Sequence, residues 1–208
     1  MKATNPMIIT ISRQLGCGGA YIAQKLAKKL KFRYADREII RAVAEKLSVK
    51  EEDIEKRDEK RQTIWESMMN STGFAPEFYV PLNIKYAPSD AELYEAETKI
   101  IEEIAAEGNA VIIGRGGFHI LRNRHSTIRI LLHADVDFRI KRVAELYKVS
   151  AKEAAEIVEK NDKDRAKYIN ALTGAKWMDA TLFDLAIDTG RIGIEKAIDL
   201  IATFVKNS

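Results

Sequence analysis

Residues 7–30, MIITISRQLGCGGAYIAQKLAKKL, decide the fold of this chain. The apolar, β-branched run at 7–12 predicts a buried strand, and it stops at a turn rich in glycine. A helical pattern follows at once, with Ile22, Leu26 and Leu30 on one face. A buried strand that leads through a glycine-rich turn into a helix is typical of a phosphate site. Backbone N–H groups converge in such a turn, and the helix dipole favours an anion.

The glycine-rich turn is the candidate site for the phosphates of a nucleotide, which we expect to be ATP. The predicted set of phosphate-binding residues is Ser12, Gly16, Cys17, Gly18, Gly19, Ala20 and Tyr21. A common phosphate loop ends in GK[ST], whereas Gly19 and Ala20 stand at those positions here. The alternative is a tight strand-to-helix turn in which the glycines only satisfy the backbone geometry.

Arg13 lies where the predicted strand meets the turn, and it is the candidate replacement for the missing lysine. The charge on the β- and γ-phosphates requires a cation, because helix amides carry only partial charges. In the alternative, Arg13 faces solvent and arginines elsewhere neutralise the phosphates. We expect Cys17 to be a small residue of the turn and not a nucleophile, since no histidine lies near it in sequence.

The composition is that of an ordinary single domain of 208 residues. The formal net charge of +3 is too small to indicate a nucleic-acid partner. One cysteine excludes an internal disulfide and a cysteine-based zinc cluster, and it suits a reducing compartment. The N-terminus has no signal pattern, and no apolar run approaches the roughly 20 residues that cross a bilayer. We expect a cytoplasmic protein without a membrane partner; a homo-oligomer stays open.

Alternating strand and helix patterns predict an α/β fold. The predicted strands are at 7–12, 32–35, 110–114, 127–133 and 185–188. The predicted helices are at 20–30, 37–47, 50–71, 89–107, 136–147, 150–172 and 193–206. Ser89 and Ser150 are expected to cap two of them, Ser150 with Glu153 in a capping box. We expect a three-layer, doubly wound parallel sheet of about five strands, with helices on both faces.

Two helical excursions interrupt the sheet of this single domain. The α/β core is expected to comprise residues 1–36, 108–135 and 174–208. The excursion at about 37–107 is expected to bind an acceptor, and the one at about 136–173 to form a lid. A sheet core with two such excursions is the arrangement by which a nucleotide kinase closes over two substrates.

Several charged residues outside the turn are further candidates. Arg115 follows a buried strand between glycines, where its planar guanidinium suits a phosphate; the alternative is a pair with a core carboxylate. Asp36 ends a short strand, and it either lies at the ligand edge of the sheet or caps the next helix. Arg139 and Arg142 share one face of a charged helix. They either neutralise a transferred phosphoryl group or belong to a solvated surface.

Taken together, these segments resemble the cytidylate kinases, and more closely the cytidylate kinase-like proteins. The matching stretches follow one another along nearly the whole chain: ITISRQLGCGG, KFRYADREII, VIIGRGGFHIL, RIKRVAEL, EKNDKDRAKYI and DLAIDTGRIGIEKAIDLI. The resemblance implies the P-loop-type fold of nucleoside monophosphate kinases. It also implies ATP and Mg²⁺ as cofactors and a nucleotide or related small molecule as acceptor, with CMP the leading candidate.

The resemblance also implies roles for individual residues. The predicted catalytic set is Arg13, Arg139, Arg142 and Arg165, in which Arg139 and Arg142 match the lid arginines of the family. The predicted acceptor-binding set is Asp36, Arg41, Arg115, Lys160, Asp164 and Lys167. No metal ligand is assigned.

The chain departs from the family pattern at four positions. Gly19 replaces the loop lysine, and Tyr21 replaces a threonine that would assist magnesium. Gly116 replaces the aspartate that follows the arginine, and Ile113 replaces the acidic residue that usually precedes the GR pair. Three functions are therefore kept: a kinase for a nucleoside monophosphate, a nucleotide-binding regulator without turnover, and a kinase for another small molecule.

Overall fold

A five-stranded parallel sheet forms the centre of the computed structural model, which describes residues 6–47 and 89–208. The strands are β1 (Ile8–Arg13), β2 (Arg33–Ala35), β3 (Ala110–Ile113), β4 (Thr127–His133) and β5 (Leu185–Asp188). Their order is β2-β3-β1-β4-β5, so β1 lies in the middle. The predicted doubly wound α/β fold is confirmed, and the helix predicted at 50–71 lies outside the described residues.

Helices cover both faces of the sheet. They are α1 (Gly19–Leu30), α2 (Arg37–Lys46), α3 (Asp90–Glu107), α4 (Gly117–Ile120), α5 (Val136–Tyr147), α6 (Ala151–Thr173), α7 (Thr189–Ile192) and α8 (Ile194–Asn207). A 3₁₀ turn spans Ala180–Leu182. Ser89 and Ser150 both form capping boxes, with Glu92 and Glu153 respectively. Of the described helices, none has both the length and the apolar character that crossing a membrane requires.

The alternating residues of β1 contribute to two separate cores. Ile9 and Ile11 pack on the side of α1 and α8, whereas Ile8 packs on the side of α2 and α3. All three side chains are at most 1% exposed, as expected for a central parallel strand that is covered on both faces. Both faces of β1 are buried, and this explains why its sequence is a run of mostly apolar, β-branched residues.

The chain switches direction in the sheet around β1, because β3 lies on one side of it and β4 on the other. Open parallel sheets bind ligands outside the carboxyl ends of the strands at such a point. Helices α5 and α6 form a pair with a small core of their own, built around Val143, Ala154 and Val158. Leu15, which follows β1, packs against that core, so the helix pair is docked on the carboxyl end of β1.

Candidate active site

The segment between β1 and α1, residues 14–18, is called the β1 turn below. Gly16 and Gly18 have φ angles of 85° and 83°, a left-handed conformation that favours glycine. A Cβ atom at Gly16 would also lie 2.8 Å from the backbone oxygen of Arg139. The backbone conformation of Gly16 and the close approach of α5 thus both require glycine at position 16. The turn delivers the chain into α1, whose first N–H groups have no acceptor within the helix.

Cys17 is a structural residue of the β1 turn. Its thiol lies 3.5 Å from the carbonyl oxygen of Leu132, to which it donates, and its own carbonyl accepts from the Thr189 hydroxyl at 2.7 Å. Burial raises the pKa of Cys17, so the thiol stays protonated at neutral pH. This environment agrees with the expectation that Cys17 is not a nucleophile.

The side chain of Arg13 runs across the molecule instead of into bulk solvent. Its aliphatic stem passes over Gly19, where a Cβ atom would lie 2.6 Å from the Arg13 Cβ. Its guanidinium group lies against the α-carbon of Gly114, at the end of β3. Burial lowers the pKa of Arg13, and the carboxylate of Asp36 opposes that shift. The charge of Arg13 is therefore held between the ends of β1 and β3.

The segment after β3, residues 114–116, is called the β3 turn, and all three of its residues have positive φ angles, of 73°, 54° and 65°. Arg115 in its centre is buried and forms an ion pair with Glu97 at 3.1 Å. The Tyr168 hydroxyl donates to the same carboxylate at 2.8 Å. The structure thus contains the pair with a core carboxylate that was the alternative for Arg115.

A small cavity of about 40 Å³ lies between these two strand ends. It is lined by Ser12, Arg13, Gly114, Arg115, Gly116, Asp164, Arg165, Tyr168, Ile169 and Trp177. Arg165 of α6 donates to the backbone oxygen of Arg13. Burial, followed by the charge of Arg13, lowers the pKa of Arg165. An anion bound in this cavity would oppose the lowering of the pKa of Arg165, because a nearby negative charge stabilises the charged guanidinium group.

A larger cavity of about 170 Å³ lies between the β1 turn with the start of α1 and the helices α5 and α6. It is lined by Arg13, Gln14, Leu15, Gly16, Gly18, Gly19, Ala20, Tyr21, Gln24, Arg142, Val143, Leu146, Tyr147 and Arg165. The Nε atom of Arg142 is buried here without a hydrogen-bond acceptor among the described residues. Arg13 and Arg165 line both cavities, so these two arginines border both spaces.

Arg139 connects the helix pair α5 and α6 to the β1 turn. It forms a bidentate pair with Asp162 of α6 at 2.9 and 3.1 Å. It also donates to the backbone oxygens of Ala134 and Leu15, at 3.2 and 3.4 Å. With 4% exposure, its side chain joins α5, α6 and the turn. These contacts are structural, and the predicted catalytic role of Arg139 stays a prediction.

The other predicted site residues differ in location. Asp36 is buried and accepts a hydrogen bond from the Tyr34 hydroxyl at 3.0 Å, and its side chain makes no capping bond to α2. Arg41, Lys160 and Lys167 are exposed and are not among the residues that line either cavity. Their acceptor-binding role stays a prediction.

Tyr21, at the position of the family threonine, lines the larger cavity but directs its hydroxyl to α8. It is 43% exposed, and its hydroxyl donates to Glu195 of α8 at 2.9 Å. Within residues 6–47 and 89–208, no cluster of three or more His, Cys, Asp or Glu side chains could hold a metal ion.

Sequence analysis missed three residues that shape the smaller cavity: Glu97, Tyr168 and Trp177. A signal for Glu97 was available, because it occupies the same helical face as Leu93, Ile100 and Ile104, which are buried. A carboxylate on an apolar face needs a buried partner. Trp177 follows α6 in a segment with no periodic pattern. Only the fold brings it close to Arg165, whose guanidinium carbon lies 5.9 Å from the centroid of the Trp177 ring.

Comparison with known proteins identifies the family. A model of the cytidylate kinase-like family matches residues 8–191. A cytidylate kinase of Saccharolobus islandicus is 27% identical over 203 residues, covering 97% of this chain and 92% of that protein. A cytidylate kinase of Pyrococcus horikoshii is 33% identical over 108 residues, covering 51% of this chain and 55% of that protein.

Solved structures share the fold at low identity. An uncharacterized protein from Eubacterium ventriosum has a TM-score of 0.69 and 22% identity, covering 97% of this chain and 99% of that one. The shikimate kinase of Bacteroides thetaiotaomicron has a TM-score of 0.55 and 13% identity, covering 96% and 98%. These likenesses show that the chain shares its α/β fold with the two solved structures. Because the family model spans most of the residues, the chain belongs to the cytidylate kinase-like family.

Proposed function

We propose that this chain transfers the γ-phosphoryl group of MgATP to a small anionic acceptor, with CMP as the leading candidate. The observation that carries the proposal is that Arg13 and Arg165 line both cavities. One cavity is bordered by the glycine-rich β1 turn, and the other by the end of β3. A phosphoryl group passing between them would cross a region of concentrated positive charge.

The larger cavity is assigned to the donor. The first N–H groups of α1 and the positive end of its dipole favour the phosphates of ATP there. Arg142 on the lid lines the same space and has a buried Nε donor to offer. The smaller cavity is assigned to the reacting end of the acceptor, beside Arg115 and Asp164.

The reaction requires positioning and charge stabilisation more than covalent chemistry. The bond from the γ-phosphorus to the oxygen bridging the β-phosphate breaks, and a bond to an acceptor oxygen forms. Arg13 and Arg165 neutralise the charge that spreads over the phosphoryl oxygens. Arg139 keeps the lid on the turn and excludes water. Magnesium arrives with ATP as part of the substrate, and no step here depends on a protein ligand to it.

The test is an ADP-release screen with MgATP and a panel of nucleoside monophosphates and hydroxyl-bearing metabolites. We expect ADP to form in proportion to one phosphorylated product. Arg165→Gln should reduce the rate at least about 100-fold, the scale for losing one preorganised donor to the transition state. Arg129→Gln is the matched control, because Arg129 is a half-buried arginine paired with Asp184 away from both cavities. Equal rates in both variants would contradict the proposal.

The second candidate is a nucleotide-binding regulator without turnover. The observation that favours it is Tyr21, whose hydroxyl is engaged with Glu195 at the position where the family has a magnesium-assisting threonine. Tight binding of ATP without ADP release for any acceptor would support this regulator. Turnover with a metabolite but no nucleoside monophosphate would indicate a kinase for a non-nucleotide acceptor.

A further inference from the structure

We infer that Arg13 and Gly19 are an exchanged pair: Arg13 provides the cation that a phosphate loop takes from its lysine, and Gly19 is glycine because the Arg13 side chain fills the space of that lysine. This inference rests on the proposed function and names a residue for its chemistry. It explains in one step why the loop lacks lysine and why an arginine ends β1.

The spacing of the turn supports the exchange. When the pattern G-x-x-x-x-G-K-[ST] is aligned on Gly18 as its second glycine, Gly19 takes the position of the lysine. Arg13 then takes the position of the first glycine. A cation has been lost at one end of the loop and gained at the other.

The backbone does not account for Gly19. Its φ angle lies outside the left-handed range, unlike those of Gly16 and Gly18, so any residue could adopt this conformation. The obstacle is steric, because a Cβ atom at position 19 would lie 2.6 Å from the Arg13 Cβ and 2.7 Å from its Cγ. The Cβ atom of Arg13 is fixed by the backbone of β1, which is paired with β4, so rotation of the side chain can move Cγ but cannot remove the 2.6 Å contact.

The path of the side chain then brings the charge to the transfer point. After crossing Gly19, the guanidinium group reaches Gly114, and Arg13 lines both cavities. Among residues 6–47 and 89–208, no carboxylate lies within ion-pair distance of Arg13, whereas Arg115 next to it is paired with Glu97. A cation held at this point is suited to a phosphoryl group that moves from the β1 turn toward the β3 turn.

A matched pair of glycine variants tests the steric half of the inference. Gly117 is also the first residue of a helix after a left-handed glycine, but a Cβ atom there would meet only ordinary contacts at 3.4 Å. Gly19→Ala should displace Arg13 and lower kcat at least about 10-fold, whereas Gly117→Ala should stay within about threefold of wild type. Equal kcat values in the two variants would overturn the steric pairing.

Arg13→Gln tests the charge. We expect kcat to fall at least about 100-fold, with an unchanged midpoint of urea unfolding. The reciprocal exchange uses Arg13→Gly with Gly19→Lys, because Arg13→Ala would keep the Cβ atom that obstructs position 19. The double variant should exceed Arg13→Gly alone at least about 10-fold in kcat, which a purely structural role for Arg13 would not produce. A rate for Arg13→Gln within threefold of wild type would overturn the inference.

Calorimetric titration with ADP separates this inference from the proposed function. If the wild type binds ADP but turns over no acceptor, the proposed function fails. The inference then still requires Arg13→Gln to weaken ADP at least about 10-fold, while Arg129→Gln leaves ADP affinity unchanged. Unchanged ADP affinity in a folded Arg13→Gln variant of an inactive wild type would overturn the exchanged pair as well.

Discussion

The β1 turn and the β3 turn are built alike and use their arginines differently. Each follows a buried strand, and each leads through a left-handed glycine into a helix that starts with glycine. Arg13 lies directly before the first turn, and Arg115 lies in the centre of the second. Arg115 is paired with Glu97 in the core, whereas Arg13 lies between two cavities without such a partner among the described residues. The local pattern predicts an arginine at the sheet edge, and the elements packed against it determine whether that arginine stabilises the fold or meets a ligand.

The largest expected effect concerns the buried pair of the β3 turn. Glu97→Gln should lower the free energy of unfolding by about 3–5 kcal/mol, since Arg115 would lose its buried counter-charge. Arg13→Gln should change that free energy by less than about 1 kcal/mol. Urea unfolding of the two variants measures the difference. Similar losses in both would remove the distinction between a structural and a ligand-facing arginine.

A smaller effect is expected from adding one methyl group at each helix start. Gly19→Ala should cost about 1–3 kcal/mol in the free energy of unfolding, as overpacking does, because the new Cβ meets the Arg13 stem. Gly117→Ala meets ordinary contacts, and a change within about 1 kcal/mol is expected, since alanine also restricts the unfolded chain. Thermal and urea denaturation compare them. A larger loss at Gly117 would reverse the comparison.

The smallest expected effect concerns one hydroxyl near each turn. Tyr168→Phe removes a hydrogen bond to the buried Glu97 carboxylate and should cost about 1 kcal/mol, since Glu97 keeps its ion pair with Arg115. Tyr21→Phe removes an exposed bond to Glu195, and the change should be within about 0.5 kcal/mol. Both are read from urea unfolding at neutral pH. A greater loss for Tyr21→Phe would contradict the buried network around Glu97.

Much of the fold could be predicted from the sequence. The hydrophobic pattern indicates the strands and helices, and capping residues indicate where two of the helices begin. The bounds of β4, β5 and α5 agree with those predicted, and both serine caps are present. The short helices α4 and α7 were not predicted, since four residues are too few for a helical period to be recognised.

The candidate site could be predicted only as far as residue type and strand position allow. Arg13 and the glycines of the β1 turn were recognised from a contiguous motif. The route of the Arg13 side chain depends on Gly114, which follows β3 and lies far along the chain. The burial of Arg139 in an ion pair depends on Asp162, whose contact arises only when α5 and α6 pack together. Such contacts between distant segments have no local signal.

The most direct test of the account is the structure of the protein with a non-hydrolysable ATP analogue and Mg²⁺. The account predicts that oxygens of the β- or γ-phosphate lie within hydrogen-bond distance of the Arg13 guanidinium and of the first N–H groups of α1, with the Arg115–Glu97 pair intact. Phosphates bound more than about 5 Å from Arg13, where no direct hydrogen bond can form, would contradict it.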